Sequence, residues 1–457
     1  YYQQAATSES ENFQVLSQVN QLSLLVDINK IEQAKSLIEI AKQKIDALPP
    51  SRNSVEARLH LAHAMMQINK QNNTVPIRKI ADNLAIAVQQ AKELSHPRLQ
   101  ADALISLGNM YEQSQQWQES ETLTRQALQL AQQANANDII YRSQWQLGRI
   151  LTATGKTQPA IDVYQQAVSS IKSLRADLAS ASPDVQFSFR DEVEPIHREL
   201  VSLLIKSNQK DNLRKARDII EALQLVELDN FFREACLNAN PAQIDKVDET
   251  AAVIYPIILE DELAIITSLP KLNNQAQNKS QKSENRDFRY YKTAISKQEI
   301  EKLASSLKND LQQPTAVEKF TLPQLQKIYD LVIRPEADAL KASKVKTLVF
   351  VLDGVLRNIP MGALHDGKNY LVENYSIALT PGLQLLAPKA LTERRLEAFV
   401  AGLNQARSEF PALPYVENEV EKIKSQLPTQ VLFNQKFTNN AFEDKVPETS
   451  YPIVHLA

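Results

Sequence analysis

Chemistry in this chain has to come from few reactive side chains. The 457 residues hold one cysteine, Cys236, and six histidines. A thiol becomes a nucleophile only as the thiolate, beside a base, a cation or a helix N-terminus. Cys236 sits in NFFREACLNANP, at an apolar helix end with no histidine or helix N-terminus nearby in sequence, and reads as an inert buried thiol. One thiol also excludes an internal disulfide and any multi-thiolate metal site. His60 and His63 stand three apart on a helix, a spacing that suits a metal, but no carboxylate or thiol completes the set, so no metal is expected. Asp353 and Asp366 each precede a glycine and read as turn formers. Neither G-x-x-x-x-G-K-S/T nor G-x-G-x-x-G occurs, so no nucleotide or other cofactor is expected.

Composition narrows the partners. With 51 basic and 54 acidic residues the formal net charge is −3, which leaves no basic footprint for nucleic acid. No run approaches the ~18 apolar residues of a membrane span. The chain begins at Tyr1 rather than Met and stops inside an apolar run at Ala457. Both ends read as cut, so a missing signal peptide does not fix the compartment. A cytoplasmic protein is the expectation.

The elements that must position any site fall into two kinds. Only eight glycines occur, three of them before residue 354, which favours helix over tight turns. Leu107-Gly108 and Leu147-Gly148 recur 40 residues apart, and Ala87, Ala127 and Ala167 keep the same interval. Leu-Gly, then Tyr111 or Leu151, then Ser120 or Ala160, then Ala127 or Ala167 is a pattern that resembles the tetratricopeptide repeat, a helix–turn–helix unit. Small residues let two antiparallel helices approach, while Leu, Tyr and Trp fill the gap to the next hairpin. The spacing predicts five hairpins, roughly 10–48, 53–95, 97–135, 138–175 and 195–236, in an all-α solenoid over about 1–240.

After residue 250 the period changes. Ala251–Pro270 carries two β-branched runs around Glu260-Asp261 and reads as a β-hairpin. The segment 271–287 is polar and reads as a surface loop, Phe288–Ile295 as a strand, and Ser296–Leu311 as a helix with a Ser296/Glu299 capping box. Leu348–Leu352 is an unbroken apolar run whose two faces must both be covered. Tyr370–Leu379 reads as a further strand. Ala398–Leu403, Val431–Phe433 and Ile453–Ala457 read as strands separated by helices over Pro414–Leu427 and Thr438–Val446. That rhythm predicts an α/β domain with parallel pairing over 250–457, whose chemistry lies beyond the carboxyl ends of the strands.

The string VFVLDGVLRNIPMGALHDGKNYLVENYSIALTPGLQLL, the later EAFVAGLNQARSEFPALPYVENEV and the closing PIVHLA together resemble the CHAT domain, a family of the caspase and separase clan. Members typically follow tetratricopeptide repeats. The resemblance implies a caspase-like α/β fold, incomplete at its C-terminus, and a cysteine peptidase using a His–Cys dyad. The family histidine lies in H-x-A-T-H-G at a strand end and the cysteine on the following strand. Here only His455-Leu456-Ala457 is present, so both members are expected beyond Ala457 and none in this chain.

Two residues take secondary roles by the same resemblance. His455 precedes the expected catalytic position by four and is read as a cleft-supporting residue. Arg407 follows the first core strand, where a guanidinium would suit an acidic substrate side chain through paired hydrogen bonds. The implied function is a caspase-like cysteine endopeptidase whose repeats bind a protein or peptide partner, this chain itself being inactive. The alternative is a non-enzymatic protein–protein interaction scaffold.

Overall fold

The computed structural model describes residues 11–72, 74–181, 193–207, 209–232, 250–271, 286–313, 318–380, 396–407, 411–448 and 451–457. Cys236 and most of the polar segment 271–287 lie outside the described residues. Two compact units divide the chain, residues 1–385 and 386–457.

The first unit opens with five helical hairpins: α1 Glu11–Asp27 with α2 Ile31–Ala47, α3 Arg52–Asn72 with α4 Ile77–Glu93, α5 Pro97–Gln113 with α6 Trp117–Gln133, α7 Asn137–Ala153 with α8 Thr157–Ala181, and α9 Glu194–Lys206 with α10 Lys210–Phe232. Ala87, Ala127 and Ala167 are fully buried. A Cβ on Gly148 would stand 2.8 Å from the Tyr164 ring, and one on Gly108 would stand 2.8 Å from Gln146 Nε2. At Gly148 the glycine is therefore a requirement of helix approach, whereas at Gly108 the nearest atom is the end of a flexible side chain. The turns reverse through left-handed residues, Ser95, Gln115, Asn135 and Gly155, each 20 positions on.

A five-stranded sheet follows, in the order β3-β2-β1-β4-β5, made of β1 Ala252–Ile258, β2 Leu263–Pro270, β3 Arg286–Thr293, β4 Thr347–Val351 and β5 Ser376–Thr380. The strands β1 to β3 form an antiparallel meander, while β1, β4 and β5 run parallel. Alternation along each strand splits the side chains between two covers. Val253, Tyr255, Ile257, Val349 and Val351 enter one core with α7 to α10. Ile254, Ile258, Leu348, Phe350 and Leu352 enter another with α11 Lys297–Leu311 and α12 Glu318–Val332. One face of the sheet is thus roofed by the last hairpins of the solenoid. The Ser296/Glu299 capping box is formed.

Some boundaries differ from the sequence reading. Arg286 and Asp287, assigned to the polar loop, begin β3, because Ser268 accepts the Arg286 Nε at 3.0 Å and pairing with β2 continues to Pro270. Tyr370–Leu379 is not one strand. Glu373 accepts the Tyr370 N–H at 2.6 Å and closes a single helical turn, α14 Leu371–Asn374, which follows α13 Ala337–Ala342. The strand starts at Ser376.

The second unit holds a parallel sheet in the order β7-β6-β8, from β6 Ala398–Gly402, β7 Thr429–Phe433 and β8 Ile453–Leu456. The connecting helix α15 Val416–Gln426 covers Ala398 and Val400 with Val416 and Val420. On the opposite face Phe399 meets Phe442 of α16 Asn439–Glu448 at 5.9 Å and Tyr451 at 5.3 Å.

Candidate functional site

In an open parallel sheet, ligands bind where neighbouring strands send their connections to opposite sides. The first sheet has one such point. It lies between β1, which leads to β2, and β4, which leads to β5. In the second sheet β6 leads to β7 on one side and pairs with β8 on the other, and the loops that leave β6 and β7 meet at its carboxyl end.

The first crevice is filled. Asp353, just beyond β4, is almost fully buried, and its Oδ2 accepts the last amide of β1, Ile258 N–H, at 2.9 Å. Arg198 of α9 donates to both carboxylate oxygens, at 2.7 and 2.9 Å, and to the Ile258 carbonyl at 2.9 Å. Its Nε is taken by Glu194 at 2.6 Å. Burial works against the guanidinium charge, but the Asp353 and Glu194 carboxylates outweigh it and raise the Arg198 pKa further. Around the same strand end, Gln224 donates to the Leu352 carbonyl at 3.1 Å and Tyr255 donates to Glu221 at 2.7 Å. Arg357 bridges the Leu352 carbonyl at 3.0 Å and Glu227 at 2.7 Å. Asp353 is therefore more than the turn former its dipeptide suggests. Asp366 does form the turn, accepting the amides of Asn369 and Lys368 at 2.7 Å each, which hold its pKa below the usual carboxylate value.

The second crevice is built differently. Leu403 donates to the Ala457 carbonyl at 3.0 Å, which continues the pairing of β6 with β8. Asn404 and Asn434 exchange two hydrogen bonds, Asn404 N–H to Asn434 Oδ1 at 3.0 Å and Asn434 Nδ2 to Asn404 Oδ1 at 2.7 Å. Asn404 Nδ2 also reaches Glu417 at 3.3 Å. Asn434 holds φ at +53°, a conformation that asparagine adopts more readily than most residues. This clamp joins the loops that leave β6 and β7. Gly402 is required beside it, since a Cβ there would stand 2.8 Å from Val416 Cγ1.

Arg407 lies on the loop past the clamp, exposed, and among the described residues no ion pair engages it. His455 pairs with Val400 and so faces α15, where its Nε2 stands 3.4 Å from Glu419 Oε1. That nitrogen is buried and makes no hydrogen bond among the described residues. The imidazole thus lies under a helix, and nothing described brings it to Arg407. Among the described residues no group of three His, Cys, Asp or Glu is arranged to hold a metal, and no helix is long and apolar enough to cross a membrane. The Asn404–Asn434 clamp and the Arg198–Asp353 pair had no signal in the sequence beyond residue type, because both join segments far apart in the chain.

Residues 322–457 match the CHAT domain family, and residues 99–173 match the tetratricopeptide repeat. The chain therefore carries a tetratricopeptide-repeat match ahead of a CHAT-domain match, and repeats of that kind generally mediate protein binding. Solved structures similar to it include the kinesin-light-chain, nearly identical TPR-like repeats of Podosopora anserina, with 18% identity, 49% of this chain and 98% of that chain covered, and a TM-score of 0.35. BtubC (BKLC) from P. vanneervenii is similar at 15% identity over 46% of this chain and 81% of that one, with a TM-score of 0.36. Among curated proteins there is no match.

Proposed function

We propose that this chain supplies the partner-binding repeats and the structural frame of a caspase-like cysteine endopeptidase. In this reading the repeats occupy about 1–240 and the CHAT domain 250–457. The observation that supports it is the pairing, in one chain, of the repeat match at 99–173 with the CHAT match at 322–457. The crevice beside β6, with its clamped loop and exposed Arg407, suits an acidic side chain ahead of the scissile bond. His455, held under α15, supports that crevice rather than acting as the base. The only thiol, Cys236, belongs to the helical half of the sequence, so the chain alone is inactive.

The test has two arms, both on the full chain. Incubation with a thiol-reactive peptide inhibitor and a peptide substrate carrying Asp before the cleaved bond is expected to give neither labelling nor turnover. Stoichiometric labelling of Cys236, with turnover abolished by Cys236→Ala, would show the inactive reading to be wrong. Peptides selected from a random library for binding to the chain are expected to protect amides within 11–232 from exchange. Protection confined to 252–457 would remove the repeats from the binding role.

A further inference from the structure

The first sheet's crevice is the place where an α/β sheet ordinarily receives a ligand, and here the occupant comes from the solenoid. We propose that Arg198 is an intramolecular ligand of the first sheet, a latch that locks the fifth hairpin to the carboxyl ends of β1 and β4. The geometry is that of a bound guanidinium. Nη1 and Nη2 meet the two oxygens of Asp353, Nη1 also meets the Ile258 carbonyl, and Nε meets Glu194. Asp353 in turn holds the Ile258 amide. A single side chain of α9 thereby fastens the backbone of β1 to the residue that leaves β4.

The same hairpin grips that segment twice more, through Gln224 on the Leu352 carbonyl and Glu227 on Arg357. Both strand ends therefore depend on the position of the fifth hairpin. A displacement of α9 or α10 by anything bound along the repeats reaches residues 352–357 without an intervening loop. Apolar packing alone would hold the hairpin against the sheet face, but it would not tie the strand ends to one guanidinium. That difference makes the latch testable.

The experiment is amide exchange on the full chain, read over 252–258 and 347–358. In Arg198→Lys the ammonium cannot bridge both Asp353 oxygens and the Ile258 carbonyl. Both strand ends should then exchange about tenfold faster, as loss of one hydrogen bond to a charged group implies. The first three hairpins, 11–133, should be unchanged. In Arg198→Ala the exchange should be faster still, and millimolar ethylguanidinium, unlike ethylammonium, should restore it towards wild type by refilling the crevice. Wild-type exchange of both strand ends in Arg198→Lys overturns the proposal. So does an Arg198→Ala protein that folds but gains nothing from ethylguanidinium. Should Arg198→Ala not fold, Arg198→Lys decides alone.

Discussion

In the first sheet the strand ends that could receive a ligand are closed by Asp353 and Arg198, both engaged in several hydrogen bonds. In the second sheet the corresponding ends carry an asparagine clamp and lead to the exposed Arg407. The first sheet turns the position where its connections diverge into a joint, and the second leaves side chains facing outward at the end of β6. The difference lies in what covers each sheet. A solenoid hairpin lies on the first and brings a guanidinium with it, whereas in the second unit short helices cover both faces and no buried ion pair fills the strand ends among the described residues. Topology alone therefore does not identify a reactive site.

Four changes would break or sharpen this contrast. The largest effect is expected from Asp353→Ala, which removes the carboxylate from both Nη atoms of a largely buried guanidinium, leaving it Glu194 and the Ile258 carbonyl, unpairs the Ile258 amide, and should cost about 3 kcal/mol in denaturant unfolding. A loss under about 1 kcal/mol would mean that the joint is solvated and incidental. Next, Gly402→Ala forces a Cβ against Val416 and the Ala457 carbonyl and should cost about 1–3 kcal/mol. Its exchange signature should fall in 398–402 and 429–433 and spare 252–258. Part of the loss should return in Gly402→Ala/Val416→Ala.

Asn434→Gly keeps the left-handed backbone but removes the amide clamp. Faster exchange at Asn404 and a loss of about 1 kcal/mol are expected. An unchanged Asn404 amide would remove the clamp from the description of the second crevice. The smallest effect is a pH slope. Burial raises the pKa of Glu336 above its ordinary 4.5, despite Arg289 at 3.1 Å. The folded state therefore favours the protonated acid, and stability declines as pH rises from about 4.5 through the raised folded pKa. Thermal unfolding of Glu336→Gln across that window should lack this decline, and a slope equal to wild type would assign it elsewhere.

The hairpins were legible because their signal repeats. Small residues at a 40-residue interval can only mean stacked units, and Ala87, Ala127 and Ala167 are all fully buried. Leu348–Leu352 announced a strand covered on both faces, as it is, but could not say that α9 and α10 form one of those covers. Arg198 sits in an ordinary amphipathic stretch, and its partner is 155 positions away, a distance at which residue type carries no pairing information. Asp353-Gly354 hid the same pair from the other side, since a turn explains that dipeptide by itself. His455 shows the limit of alternation: period two assigns its face, but the helix lying over that face comes from tertiary packing.

The third and fourth hairpins touch through two ion pairs at an interval of 40, Arg98 with Asp138 and Asp102 with Arg142. The order of charges is reversed from one helix to the next, basic then acidic on α5, acidic then basic on α7. An extra copy of the third hairpin inserted after itself would set Arg98 opposite another Arg98 and Asp102 opposite another Asp102. Lengthening this array by one unit therefore introduces like charges, whereas lengthening it by two restores complementarity. At this interface the natural increment is the pair of hairpins rather than the single one, whereas the second hairpin, with Arg58 and Ala62 at the matching positions, does not extend the alternation.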